Sequence, residues 1–272
     1  MRWTGIAWGL AVLACGGHAL AGPLPGCARA IELADVRVAA VKDSALVLAD
    51  GRKLALEGVL MPDGQAGRAP GGFRQEALAA LSKLSQGRRI VAAAQRPARD
   101  RYGRIEAQIF LAQNPDDGWL QVALLKRGLG RVFVTPDRPE CARELLAAEG
   151  QARDAHAGIW ATQAYAVRAP DALSWRDTGT FQIVQGKVVS AAVKNGRAYL
   201  DFGADWKNDF TATIAPDGMK LFRARGIDPR TYAGSVVRVR GWVDRYHGPE
   251  IEIAAPEDVE TVEQTSEARK PM

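Results

Sequence analysis

From Ile105 to Leu111, apolar residues at 105, 107, 109 and 111 alternate with Glu106, Gln108 and Phe110, a period of two that predicts a half-buried strand. A polar turn at 100–104, Asp-Arg-Tyr-Gly-Arg, precedes it, and Pro-Asp-Asp-Gly at 115–118 follows. Leu120, Val122, Ala123, Leu124 and Leu125 then fall on one helical stripe that stops at Lys126-Arg127-Gly128, cations and a glycine at a helix C-terminus. A strand over 129–134 comes next.

Upstream, the same pattern predicts short strands over 36–41, 45–48 and 53–60, with Asp50-Gly51 as the hairpin turn between the last two. After a loop at 61–72, Phe73, Ala77, Leu78, Leu81 and Leu84 share one face of a helix ended by Gly87, and a strand over 90–94 leads into the turn at 100–104. Downstream, a helix from Pro139 to about Ala157 holds Cys141 in its first turn and Leu145, Leu146, Ala148 and Ala152 on its inner side. Trp160 is expected to pack back on the preceding strands, and His156 to be an exposed cation at the helix end. Residues 166–178, mixed in proline, charge and small side chains, read as a linker. Beyond them come strands over 181–193, 197–202 and 210–215, a short helix over 219–224, and strands over 236–243 and 250–253. Three strands, a helix and two strands is the order of a small oligonucleotide/oligosaccharide-binding (OB) barrel, spanning 179–262 and followed by a flexible tail at 263–272.

The chain has 272 residues, enough for two modest cores. Met1-Arg2, the apolar run 3–15 and the small residues up to Ala21 predict a signal peptide over 1–21 and an exported product, periplasmic or secreted; lipid attachment at Cys15 is the alternative. No run is long enough for a transmembrane segment. Removing 1–21 leaves Cys27 and Cys141, which in an oxidising compartment predicts a disulfide. The excess of positive charge lies before residue 166, and it peaks at Arg88, Arg89, Arg96, Arg99, Arg101 and Arg104, against the single acid Asp100. That run is either a solvated rim or a surface that contacts phosphates. Among aromatic residues of the second barrel, Trp206 and Tyr246 are those expected to be exposed, and a base could stack on either.

Residues 36–160 resemble the thermonuclease (staphylococcal-nuclease-like) family, on four stretches: Leu-Glu-Gly-Val-Leu-Met-Pro-Asp at 56–63, Asp-Arg-Tyr-Gly-Arg at 100–104, the segment 124–132, and Ala148-Glu149 through Gly158-Ile159-Trp160. The resemblance implies a mainly β, α+β fold: a five-stranded OB-type barrel of the thermonuclease family over 28–165, with the second small OB-like barrel after it. It also implies a mechanism in which calcium and two arginines neutralise a phosphodiester while a carboxylate activates water. Carried over, Asp43 matches a calcium carboxylate, Asp63 the general base with one methylene fewer, and Arg104 a phosphate-binding arginine. Leu60 stands where the second calcium carboxylate is expected and Ala55 where the other arginine is expected; Lys53, two residues from Ala55, is a candidate substitute cation. With one aspartate, calcium is expected to bind weakly. Phe133 and Val134 occupy the place of a tyrosine near the substrate. Three readings follow: a degenerate site that binds nucleic acid or another polyanion through Arg88, Arg89, Arg96, Arg99 and Arg101; a working calcium-dependent nuclease; or an envelope module that binds a protein or glycan.

Overall fold

The computed structural model describes residues 24–28, 30–65, 69–94, 99–114, 118–205 and 207–262. The expected leader with Cys15, Arg96, Trp206, the turn at 115–117 and the tail at 263–272 therefore lie outside the described residues.

The first half is built from β1 (Ile31–Lys42), β2 (Ala45–Leu48), β3 (Lys53–Leu56), β4 (Val59–Leu60), α1 (Phe73–Ser85), β5 (Arg89–Ala93), β6 (Ile105–Leu111), α2 (Leu120–Leu125), β7 (Arg131–Val132) and α3 (Ala142–Asp154). Strands β1, β2, β3, β6 and β5 close into a barrel, and β3 runs parallel to β6. Its interior is filled by alternate residues of these strands, among them Val38, Leu46, Leu54, Ile90, Ala107 and Ile109, and is covered by Ala77 and Leu81 of α1 and Leu120 and Leu124 of α2. The backbone of Gly128 at the end of α2 approaches that of Gly158, so that the Ile159 amide donates to the Gly128 carbonyl; a Cβ on Gly128 would lie 2.0 Å from the Ala157 oxygen. Only glycine permits that approach.

Several boundaries differ from the sequence expectation. The strand expected over 53–60 breaks at Glu57-Gly58, where Gly58 adopts φ +80°; Ala55 remains in the barrel, while Leu60 passes to a separate two-stranded ladder with Arg131 of β7. The strand expected over 129–134 shortens to that two-residue β7. Cys141 precedes α3 instead of lying in its first turn, and it is bonded to Cys27 with a Cα–Cα distance of 5.2 Å. His156 is exposed, in a left-handed conformation (φ +50°) just past α3.

The second half contains β8 (Phe181–Lys187), β9 (Ser190–Lys194), β10 (Arg197–Asp201), β11 (Thr211–Ile214), α4 (Pro216–Ala224), β12 (Val236–Tyr246), β13 (Gly248–Ile253) and β14 (Val259–Thr261). The long strand expected over 181–193 is divided because it changes partners: the Val188 amide bonds to Ser235 beside β12, and the Val189 amide to Asp201 of β10. Through this switch the order β8-β12-β13-β11-β10-β9 returns to its start, with β11 and β13 parallel, the same path as the first barrel. Leu200, Ala212, Ile214, Val237, Val239 and Ile251 fill it.

The halves share a third apolar cluster. Trp160, expected to pack back onto the first barrel, lies in it with Ala152, Ile159 and Tyr165 of the first half and also with Phe181 and Ile183 of β8. Between them, residues 170–172 and 175–177 form single 3-10 turns, the second capped reciprocally by Ser174 and Asp177. No helix among the described residues is long and apolar enough to cross a membrane.

Candidate functional site

The β1–β2 turn, β3, β4, the first turn of α1, the turn at 100–104 and the segment after β7 converge on a cleft of about 280 Å³ at the mouth of the first barrel. Its floor carries Ala55, Glu57, Val59 and Leu60, and its walls carry Ser44, Asp63, Arg74, Arg104, Glu106, Phe133 and Arg138. The tight turn after β1 puts Asp43 (φ +51°) and Ser44 (φ +61°) in left-handed conformations. Ser44 faces the cleft, whereas Asp43 is exposed and contributes nothing to its wall.

Arg104 is held by the turn that bears it. Asp100 Oδ1 accepts the amides of Tyr102 and Arg104, and Oδ2 accepts Arg104 Nε at 2.6 Å. Burial opposes ionisation of Asp100, yet the Arg104 amide and guanidinium and the Tyr102 amide hold its pKa below the usual value. The Arg104 guanidinium also covers the Tyr102 ring at 5.1 Å, with Arg101 at the same distance. No protein acceptor engages the Nη groups of Arg104 among the described residues.

Asp63 reaches the cleft, but both of its oxygens are engaged. Oδ1 accepts the Gln65 amide, and Oδ2 accepts Nη2 of buried Arg131 at 3.2 Å. Arg131 is in turn packed between the rings of Tyr165 and Phe181, at 5.0 and 4.9 Å, and donates to the Phe181 carbonyl, as does Gln65 Nε2. Burial lowers the Arg131 pKa from its ordinary value, against the pull of Asp63. The loop that carries Asp63 is thus fastened to the first residue of the second barrel. Phe133, at the expected tyrosine position, also meets Phe181 edge to face at 5.8 Å, and Leu60 packs against the same shared cluster.

Two groups in the cleft carried no mark in the sequence. Arg138, 6% exposed, donates to Glu57 Oε2 at 3.0 Å and lies 3.4 Å from Glu106 Oε2, so one arginine spans two carboxylates. Burial raises the Glu57 pKa although Arg138 and Gln108 hydrogen bonds oppose it. Arg74, in the first turn of α1, donates to Ser44 Oγ at 2.9 Å and lines the cleft. Its position on a polar helix face reads as solvated surface until the fold places that turn beside the barrel mouth. Lys53, the substitute cation considered from the sequence, is exposed and lines no part of the cleft.

The arginine run does not form one surface. The Ala112 amide bonds to the Arg89 carbonyl at one end of β6, and Arg99 forms an isolated bridge with Ile105 at the other. Seven residues of strand separate these ends, about 23 Å. Arg88 and Arg89 border a shallow groove with Arg37 and Gln113, and Arg89 is ion-paired with Asp35. Arg99 donates to the Gly103 carbonyl, and Arg101 stacks on Tyr102; Arg96 lies outside the described residues.

A hard divalent cation asks for several converging oxygens. Leu60 supplies none, Asp43 is turned outward, Asp63 faces Arg131, and Glu57 and Glu106 face Arg138. No group of three or more His, Cys, Asp or Glu side chains among the described residues is placed to hold a metal. These residues do not fit a calcium ion.

The model of the family described as staphylococcal nuclease homologue matches residues 53–162. Residues 53–162 are a staphylococcal nuclease homologue domain. The match starts at β3, so β1, β2, Asp43 and Cys27 lie before it, and the whole second barrel lies after it. At family level, a staphylococcal nuclease homologue domain brings nuclease-like binding of nucleic acid, and the family is generally calcium-dependent. No curated protein matches the chain. Within residues 53–162, the cleft is lined by Arg74, Arg104 and Arg138, with Leu60 on its floor.

Proposed function

We propose that this protein binds nucleic acid or a similar polyanion at the mouth of its first barrel, through a degenerate site with weak or absent phosphodiesterase activity. The observation that carries the reading is the fate of Leu60 and Asp63. One packs its apolar side chain into the cluster between the barrels, and the other spends both carboxylate oxygens on Gln65 and Arg131. A phosphorane has charge spread over its oxygens, and here Arg104 and Arg74 are the cations with donors turned to the cleft. They hold a phosphate and orient it, beside the Ser44 hydroxyl that Arg74 engages. Among the described residues, the carboxylates lining the cleft, Asp63, Glu57 and Glu106, each face an arginine, which weakens them as bases for a water beside that phosphate, and the family's calcium has no ligand set there.

Export is part of the same proposal. The Cys27–Cys141 bond supports it, because structural disulfides persist in oxidising compartments.

Fluorescence anisotropy with single-stranded DNA, alongside a nuclease assay in calcium, tests the reading. Binding that falls steeply with salt, with little cleavage at any calcium concentration, is expected. Leu60→Asp is expected to leave calcium binding weak and cleavage low, because Asp43 still faces away from the cleft and Asp63 still pairs with Arg131. Robust calcium-dependent cleavage by the natural protein, abolished in Arg104→Ala, would establish a working nuclease instead.

A further inference from the structure

The second barrel carries its own polar groove, on the face of β9, β10, β11 and β13. Its side chains come from cross-strand rows fixed by register: Ala192, Tyr199, Thr213 and Glu252 in one, Ser190, Asp201, Thr211 and Glu250 in the next. The intervening residues, Ala198, Leu200, Ala212, Ile214, Ile251 and Ile253, point to the core. Tyr246 and His247, at the tip of the β12–β13 hairpin, close one side, and the groove encloses about 390 Å³.

Its chemistry differs from that of the first barrel in three ways. Among the described lining residues, Asp201 and Glu250 stand against the cation Lys194, and the neighbouring Arg197 is already paired with Glu252 at 2.8 Å. A polyanion gains affinity by matching its phosphates with cations, and this groove offers the opposite balance. Second, hydroxyl and carboxylate groups alternate and are already oriented. Asp201 accepts from Ser190 Oγ at 2.7 Å and Thr211 Oγ1 at 3.3 Å, and Glu250 Oε1 accepts from Thr213 Oγ1 at 2.7 Å. Each hydroxyl spends its proton on a carboxylate and keeps acceptor capacity, although Thr213 Oγ1 also accepts Arg197 Nη1 at 3.2 Å, and Glu250 Oε2 has no donor among the described residues. The groove is therefore rich in acceptors. Third, Tyr246 is 68% exposed and half-buried Tyr199 also lines the groove, so aromatic rings stand beside the acceptors. A ligand with many hydroxyl donors and flat C–H faces satisfies both sets of groups.

We infer that this groove is a carbohydrate-binding site, taking an uncharged oligosaccharide that stacks on Tyr246 and Tyr199 and donates hydroxyl protons to Asp201 and Glu250. An extended peptide fits less well. The groove crosses β10, β11 and β13, each hydrogen-bonded on both sides, so a peptide cannot add a strand among them, and at the β9 edge Lys194 stands where a basic segment would need acid. Hydrogen bonds to a charged acceptor are the stronger kind, which makes the two carboxylates the main source of selectivity for hydroxylated ligands.

Isothermal titration of the full chain with neutral hexasaccharides tests this, using a β-1,4-glucan, a β-1,4-linked N-acetylglucosamine series and an α-1,4-glucan. Hexalysine and a thymidine oligonucleotide serve as the peptide and polyanion probes. At least one neutral hexasaccharide should bind, Tyr246→Ala and Glu250→Gln should each weaken it tenfold or more, and saturating oligonucleotide should leave the sugar affinity unchanged. Tyr246 is exposed at a hairpin tip, so its truncation reads binding and not folding. Failure of all three sugars, sugar binding indifferent to Tyr246→Ala, or hexalysine or oligonucleotide binding that Tyr246→Ala removes would each overturn the assignment. Loss of polyanion binding at the first barrel would leave it standing, since none of its residues is shared with that cleft.

Discussion

Arg240 Nη1 of β12 lies 2.7 Å from Glu149 Oε2 of α3, both side chains essentially without solvent contact, and the pair joins the two barrels. The same carboxylate oxygen accepts the Val132 amide, and Arg240 Nη2 reaches Glu260 Oε1 at 2.6 Å. Burial pulls the Arg240 pKa down, but Glu149 and Glu260 outweigh it and keep the guanidinium charged. Removing one member strands a buried charge. Arg240→Met is therefore expected to cost about 3–5 kcal/mol in denaturant unfolding, and adding Glu149→Leu to recover part of that loss. A cost for Arg240→Met below about 1 kcal/mol would mean that the pair does not fix the barrels together.

Acidity should stabilise the second barrel locally. Asp258 is buried, and burial pushes its pKa up to about 6 although the Ala255 and Ala254 amides and Arg240 pull the other way; Glu257 adds to the rise. The folded state thus keeps a proton that the unfolded chain, with an aspartate near pKa 4, has released. Stability contributed here falls as pH rises from about 4 to about 6 and is level above, by roughly 3 kcal/mol in total. Asp258→Asn, which keeps an acceptor for the two amides, should flatten that part of the stability–pH curve; an unchanged slope would assign it to other groups.

Reduction should expose how much the N-terminal segment owes to its crosslink. Cys27 and Cys141 are 114 residues apart, and closing a loop of that length lowers the entropy of the unfolded chain by an amount worth about 4–5 kcal/mol. Replacing both cysteines by alanine is expected to lower the melting temperature sharply, with the first barrel unfolding before the second. Non-reduced peptide mapping of the natural protein checks the pairing itself.

The two ends of β6 should behave differently toward a polyanion. Arg74→Ala and Arg104→Ala each remove a cation from the barrel mouth and should flatten the dependence of log affinity on log salt by about one unit. Arg89→Ala removes a cation already paired with Asp35 on the far side, and should change affinity little. Equal effects at Arg89 and Arg104 would mean that the ligand runs along the hairpin and not across the mouth.

The residues 105–111 show why much of the first barrel was legible in the sequence. Strand and helix periods are local properties, set by alternation of Ile105, Ala107 and Ile109 or by the stripe of Leu120, Leu124 and Leu125, and turns announce themselves through glycine, aspartate and proline. The pairing of Cys27 with Cys141 was equally legible, because removing the expected leader leaves no other thiol. What stayed hidden depends on which strands become neighbours. Arg131 meets Asp63 across 68 positions of sequence and Arg138 meets Glu57 across 81, so no pattern within a window could show that the expected base is engaged or that a third arginine enters the cleft. The arginine run looked continuous because sequence distance hides the length of a strand; the fold placed Arg89 and Arg99 at opposite ends of β6. The strand over 53–60 looked continuous because β-propensity carries no sign of the left-handed Gly58, which sends Leu60 to a different ladder. Sequence alone determined the elements, since each residue's alternation and turn chemistry act on its immediate neighbours. Tertiary structure decided the site, because charge pairing acts through space and the closure of two barrels chooses which charges meet.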